Sequence, residues 1–241
     1  MRLIYSFLII ITAISCSESK SLQKSLTKYK VPIGYLQDSK KLLCAKSDSL
    51  VINLNNTTLD STTSVSRING LVLPFIIFNH VSTNMKVKLG QNSIQENYND
   101  FFTNSFITES SRSGCFGIAT KKTNDSIYTL DLKIDTCITS SKYSRSTTVI
   151  FLLVAYSMSF SEWGSPAETY LHVSASLKKG EKIIYEKKYI VKRNQPFVNS
   201  RIANTNKLRS DFTVNMVESL SLSTKQCVED IITDINSSIK Q

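Results

Sequence analysis

The spacing of apolar and polar positions divides the chain into stretches of different character. Residues 7 to 16, FLIIITAISC, form a short apolar run behind Arg2, and polar Ser17, Glu18, Ser19 and Lys20 follow it at once. Residues 17 to 30, SESKSLQKSLTKYK, are polar, rich in lysine and only weakly periodic, which reads as a tether. From Val31 to Asn69 the signals are mixed: Lys41 to Cys44 and Ser49 to Leu54 have the composition of short strands, and Asn55 to Ser66 that of a Ser/Thr/Asn loop. Regular patterning begins at Gly70. Leu71 to Val81, LVLPFIIFNHV, is an almost continuous apolar run of strand length, with Pro74 placing it at a sheet edge or a bulge. After a polar turn from Ser82 to Gly90, Asn92 caps a helix to about Arg112 whose apolar face holds Ile94, Tyr98, Phe101, Phe102, Ser105 and Phe106. Ser113-Gly114 ends it, and Cys115 to Ala119 is a short strand.

The second half alternates with period two. In Ile127 to Thr139 the series Tyr128, Leu130, Leu132, Ile134, Thr136, Ile138 opposes Thr129, Asp131, Lys133, Asp135, Cys137. Val149 to Phe160 is apolar on both sides at first and predicts a central strand, followed by a hairpin loop from Ser161 to Pro166. Thr169 to Leu177 alternates again, and Lys178-Lys179-Gly180-Glu181 turns the chain into a charged edge strand, Ile183 to Val191. Last comes a helix from Asn204 to Ile239 with Leu208, Phe212, Met216, Leu220, Cys227, Ile231, Ile235 and Ile239 on one side and a break expected at Ser221 to Thr224. The order predicts an α+β fold: a mainly antiparallel sheet of about five strands with two amphipathic helices on one face, spanning residues 70–241 behind an irregular segment at 31–69.

Composition sharpens this picture in two ways. Of 241 residues, 29 are Lys or Arg and 19 Asp or Glu, a net charge of +10 that suits anionic headgroups or an acidic partner, while no nucleic-acid-binding motif is visible. Five cysteines are present; apart from Cys16, the four at Cys44, Cys115, Cys137 and Cys227 allow three disulfide pairings, among them a helix-to-sheet clamp between Cys137 and Cys227. No C-x-x-C or paired-histidine spacing supports a metal site, and no cofactor motif occurs.

Candidate chemistry is sparse. His80 and His172 have no motif context, and Asp131 and Asp135 fall on the outward face of a strand, so the expectation is a protein that is not an enzyme, a carboxylate-based hydrolase being the remote alternative. Two binding candidates stand out. Trp163, the single tryptophan, lies in the 161–166 segment, and Lys178, Lys179, Lys182, Lys187, Lys188, Lys192 and Arg193 form a basic ribbon able to face phosphate headgroups.

The first stretch carries a resemblance. Leu3 to Ser15 is too short for a span, which needs roughly 20 apolar residues, and has signal-peptide length. Ala13-Ile14-Ser15-Cys16 resembles the lipobox of bacterial lipoproteins, which implies cleavage after residue 15 and diacylation of Cys16, leaving 16–30 as a lipidated tether. Ser17 in place of the retaining Asp implies the outer membrane, with the domain facing periplasm or cell surface. Asp48-Ser49-Leu50, Asp60-Ser61-Thr62 and Asp125-Ser126-Ile127 resemble acceptor sites of bacterial O-glycosylation. Beyond residue 70, the Leu73-Pro74-Phe75 strand, the helix leading into Ser113-Gly114-Cys115-Phe116, the long hairpin strands and the C-terminal helix resemble envelope lipoproteins of the ABC-transport auxiliary, TolB N-terminal and CsgG-like groups. The resemblance implies a non-enzymatic, lipid-anchored accessory protein that binds an envelope protein partner, with a lipid- or glycan-binding lipoprotein as the alternative.

Overall fold

The computed structural model describes residue 24 and residues 28–36, 48–55, 57–59, 63–69, 77–114, 116–119, 128–152, 155–197 and 205–239. In chain order the elements are β1 (Asp48–Asn55), β2 (Thr63–Asn69), β3 (Ile77–Lys88), a 3-10 turn (Gln91–Ser93), α1 (Tyr98–Ser113), β4 (Phe116–Ala119), β5 (Tyr128–Leu152), β6 (Ala155–Gly164), β7 (Ala167–Lys179), β8 (Lys182–Gln195) and α2 (Thr205–Ile239). The class is α+β, and the eight described strands form one mixed, mostly antiparallel sheet. The signal segment, Cys16, Cys44, Cys115, Ser61 and Ser126 lie outside the described residues, as does the Leu73-Pro74-Phe75 tripeptide.

The sheet is built around β5, whose 25 residues span about 80 Å at the usual strand rise. Each edge of β5 serves two neighbours in succession. On one edge its first half pairs in parallel with β1 and its second half antiparallel with β3. On the other edge its first half pairs with β7 and its second half with β6, both antiparallel. Two half-sheets result. One has the order β4-β1-β5-β7-β8 and carries both helices; the other, β2-β3-β5-β6, extends beyond them as a wing. The expected α+β class holds, but the expected sheet of about five mainly antiparallel strands is too small: eight described strands take part, and the β1–β5 and β1–β4 pairs are parallel.

The core lies between the first half-sheet and the helices. Along β7, Ala167, Leu171, Val173, Ala175 and Leu177 are buried and their neighbours are not, the one-sided alternation that covers a sheet on a single face. Against them α2 lays Leu208, Phe212, Met216, Leu220, Cys227, Ile231 and Ile235, four or seven residues apart and so on one side of the helix, with Phe102 and Phe106 of α1 beside them.

Several sequence expectations are corrected, each with a local cause. Helix α1 starts at Asn97, not Asn92: the Asn97 side chain accepts from the Asn99 amide at 2.9 Å, while Gln91–Ser93 is a 3-10 turn and Ile94 bridges to Val31. Helix α2 is unbroken through Ser221–Thr224, because Ser223 and Thr224 donate back to the carbonyls of Ser219 and Leu220 (2.8 and 2.9 Å) and Ser221 donates to the Gly34 carbonyl. The polar Ser82–Gly90 turn is in its greater part strand, since β3 continues to Lys88, and the Asn55–Ser66 loop contains the start of β2. Strands from the segment expected to be irregular, 31–69, belong to the same sheet as the rest. β1 is interior to the sheet, Ile33 is buried in the core, and Tyr29 already donates to the Asn206 carbonyl at 3.2 Å.

Two corrections change which residues face outward. The alternation of β5 shifts phase at a bulge between Ile134 and Thr136. Downstream of it Cys137 packs against the core and Ile138 turns outward, 40% exposed, the reverse of the uninterrupted pattern. The predicted central strand Val149–Phe160 is two strands: β5 ends at Leu152 and β6 begins at Ala155, the two residues pairing with each other, so 155–160 belongs to the wing's edge. Ser161–Pro166, in turn, is no hairpin loop. β6 and β7 run in the same direction along β5, and the Ser165 amide donating to the Lys142 carbonyl at 2.8 Å keeps the ladder through the step between them.

Candidate interaction surface

The base of the wing is fastened to the start of α2 by one carboxylate. Glu162 on β6, with only 3% of its side chain exposed, accepts from Arg209 Nη2 at 2.5 Å and Nε at 3.0 Å. It also accepts from the Tyr143 hydroxyl and lies 3.6 Å from Arg145 Nε. Burial, with the Glu162 carboxylate beside it, pushes the Tyr143 hydroxyl far above the ordinary tyrosine range and keeps it a neutral donor. Two residues on, Gly164 permits a close approach: a Cβ there would fall 2.7 Å from the Phe197 ring and 2.8 Å from the Phe212 ring. Phe212 in turn stacks edge-on against Tyr143 with centroids 5.0 Å apart.

Beyond this junction the wing is open. Ser157, Met158, Ser159, Phe160 and Ser161 are exposed in succession, so this part of β6 is covered on neither face by the described residues. On the helix side stand Met158, 51% exposed, and Phe160, 52% exposed, the latter with the Arg145 guanidinium 5.7 Å from its centroid. The opposite side is polar: Ser146 and Ser161 hydroxyls meet at 2.6 Å, Ser144 donates to Asn84 at 2.6 Å, and His80 Nδ1 lies 2.8 Å from the Thr148 hydroxyl. Trp163 is on this polar side at the register of Ser144, 47% exposed, on strand rather than loop. It therefore lies within a rigid ladder and does not fold back over a hairpin end.

The basic ribbon is the β7–β8 hairpin, with β8 at the sheet edge and Gly180 (φ 61°) in its two-residue turn. Its charges are divided between two faces. Lys187 and Arg193 point to the helix side, Lys188 and Lys192 to the opposite side. Lys178 pairs with Asp131 at 2.7 Å and Lys187 with Asp234 at 2.6 Å, while Lys179 and Lys192 lie over the Tyr128 and Tyr170 rings. Lys182 is exposed beside the turn. Asp234 also accepts from Tyr185 and Tyr189, both at 2.9 Å; burial works to raise its carboxyl, but these three donors outweigh it and hold the group below the usual range. An open groove of about 390 Å³ runs here, lined by Lys187, Lys188, Tyr189, Asp230, Thr233 and Asp234. Two of the seven cations are thus held by carboxylates and two lie over rings, and the ribbon is divided between the two faces of the hairpin.

The remaining candidates are structural. Cys137 and Cys227 are both free thiols, so the helix-to-sheet clamp is absent; burial pushes the Cys137 thiol up to about 12 and raises Cys227 as well. Tyr98, fully buried between them and α2, meets the Thr224 hydroxyl at 3.0 Å. Asp131 and Asp135 are outward, as read from the sequence, Asp135 accepting from Ser174 at 2.5 Å and pairing with Lys133 at 3.0 Å. His172 Nε2 lies 3.8 Å from Asp135. Among the described residues no group of three or more His, Cys, Asp or Glu is placed to hold a metal, and no helix is long and apolar enough to cross a membrane. The pocket between the end of β3 and α2 has about 10 Å³, room for one water at most.

The surface features that sequence reasoning missed are the Glu162–Arg209 junction and the exposed Met158–Phe160 pair. Their signal was the alternation Tyr143, Arg145, Thr147, Val149 against serines, a strand pattern masked by its polarity. No family model and no curated protein matches the chain. Among solved structures, the crystal structure of protein XCC0632 from Xanthomonas campestris, of the family DUF330, superposes with a TM-score of 0.44 at 12% identity, covering 88% of this chain and 98% of that one.

Proposed function

We propose that the protein is a lipid-anchored accessory component of a bacterial envelope, held at the outer membrane through an acylated Cys16, which works by binding another envelope protein rather than by turnover. The observation that supports a protein-binding role is the pair Met158 and Phe160, more than half exposed on β6 beyond the point where Arg209 of α2 meets Glu162. Monomeric proteins expose single apolar side chains freely, but an aromatic and a methionine adjacent on a rigid strand make an anchor of the kind found at interface centres. The Tyr29–Asn206 bond brings the N-terminal side of the described chain to the start of α2, the same end at which Arg209 holds the wing.

Two measurements test the two halves of this reading. Cys16→Ala releases the protein from salt-washed membranes; a variant that stays bound removes the anchor. A photoreactive residue at position 158 or 160 gives adducts with one discrete envelope protein, whereas the same residue at Lys188 on the opposite side of the molecule does not. Equal labelling at all three positions removes the binding face.

A further inference from the structure

The headgroup-facing surface expected of the basic ribbon has a counterpart at the start of α2. Tyr29 donates to the Asn206 carbonyl at 3.2 Å and fixes this part of the N-terminal chain to the first turn of that helix. Lys28 and Lys30 flank Tyr29, Lys207 follows Asn206, and all three are exposed. The first turn of α2 carries no acidic residue. Of the carboxylates on the same elements, Glu162 is taken by Arg209, and Glu96 accepts from Asn104 on α1 at 3.1 Å. That leaves Asp211, one turn on, against three lysines, a net of +2.

We infer that this end of the molecule docks on anionic phospholipid headgroups, with Lys28, Lys30 and Lys207 as the contacts. The inference rests on the reading of Cys16 as an acylated anchor and names the end of the domain that the anchor brings down. Lys28 is twelve residues along from Cys16, a length of chain that reaches at most about 43 Å. α2 is itself about 50 Å long, so Lys187 at its far end, bound to Asp234, is not held near the bilayer by that limit. Confining the start of α2 to one Debye length from the surface, about 10 Å in place of about 43 Å, costs about fourfold in population. Each lysine near an anionic surface gains about fivefold, so a net of +2 gains about 25-fold and the docked end prevails about sixfold. The ribbon has less to offer such a surface: its charges are divided between two faces, and Lys178 and Lys187 are held by Asp131 and Asp234.

The test is lysine footprinting of the protein purified from its membranes. It is reconstituted in vesicles of phosphatidylglycerol and phosphatidylcholine in equal parts, or of phosphatidylcholine alone, and treated with acetic anhydride, a neutral reagent, before peptide mass spectrometry. Lys28, Lys30 and Lys207 react at least about fourfold more slowly on the anionic vesicles than on the neutral ones, while Lys182 and Lys188 react equally on both. Salt at about 1 M, where the Debye length is about 3 Å, abolishes the difference. Lys207→Gln removes one of the two net charges and brings the slowing at Lys28 and Lys30 to about twofold, with thermal unfolding unchanged; Lys182→Gln leaves the slowing as it is. The mass of the intact chain reports the lipid on Cys16 independently. A lipidated chain whose Lys207 reacts equally on both vesicles overturns the inference and leaves the anchor standing, whereas an unlipidated Cys16 overturns both. Slowing at Lys182 and Lys188 instead gives the headgroups to the ribbon, and slowing in native membranes but not on anionic vesicles gives the lysines to an acidic protein; either result overturns the inference.

Discussion

Glu162→Gln should loosen the wing from the helical layer, and the structure sets the size of the effect. The substitution keeps the side-chain shape and one acceptor oxygen but removes the negative charge that faces Arg209 at 2.5 Å and Arg145 at 3.6 Å and accepts from Tyr143. Breaking a fully buried ion pair by removing one partner costs about 3–5 kcal/mol. Here the carboxylate is 3% exposed while Arg209 and Arg145 keep 14% and 22% of their side-chain surface, so some water reaches the orphaned guanidinium groups. The expected loss is therefore about 2–4 kcal/mol. With a urea m-value of about 3 kcal/mol per molar for a chain of this size, the unfolding midpoint falls by about 1 M. Far-UV circular dichroism across a urea series measures it. The double variant Glu162→Gln/Arg209→Met should lose less than the single one, because it removes the stranded charge along with its partner. A single variant within about 0.5 kcal/mol of the parent, or a double variant worse than the sum of the singles, would refute the view of Glu162 as the link between wing and α2.

Other consequences follow from the same geometry. Gly164→Ala drives a Cβ into the Phe197 and Phe212 rings and should cost about 1–3 kcal/mol by overpacking, read as a lowered melting temperature; Gly34→Ala, with nothing within 4 Å of the added carbon, serves as the matched control. With its thiol pushed up to about 12, Cys137 is ionised in only about one molecule in 10⁴ at pH 8, so peptide mapping should find Cys137 and Cys227 unalkylated by iodoacetamide in the native protein and alkylated in urea; rapid native labelling would show that the core is not closed over them. Asp135 and Asp234 have folded-state carboxyl groups below their ordinary range, so they contribute stability that is present above about pH 5 and is lost as pH falls through their folded values. Asp230, raised by burial and by Asp234, acts in the opposite sense and offsets part of this. Melting temperature should therefore drop between pH 5 and pH 3, and Asp234→Asn should flatten that drop; an unchanged slope would remove the Asp234 clamp from the acid response.

What the sequence by itself determined is the local grammar. Alternation over Tyr128–Ile134 and Thr169–Leu177, the Gly180 turn, the lysine-guarded edge and the apolar stripe of α2 were legible because period and propensity are written within a few residues. Tertiary structure decided what depends on a neighbour distant in sequence. The bulge at Asp135 reverses the faces of Cys137 and Ile138 because β7 holds the register on both sides of it, a constraint absent from the sequence of β5. Ser221–Thr224 stays helical because partners distant in sequence, the Gly34 carbonyl and the Tyr98 hydroxyl, take up the Ser221 and Thr224 hydroxyls in the folded layer. β5 continues through a serine-rich stretch that has no strong strand preference because β3 and β6 flank it, and the apolar run that follows is divided between two strands because Leu152 pairs with Ala155. The exposed Met158 and Phe160 were hidden for the same reason: a strand's sequence does not record where the helical layer above it ends.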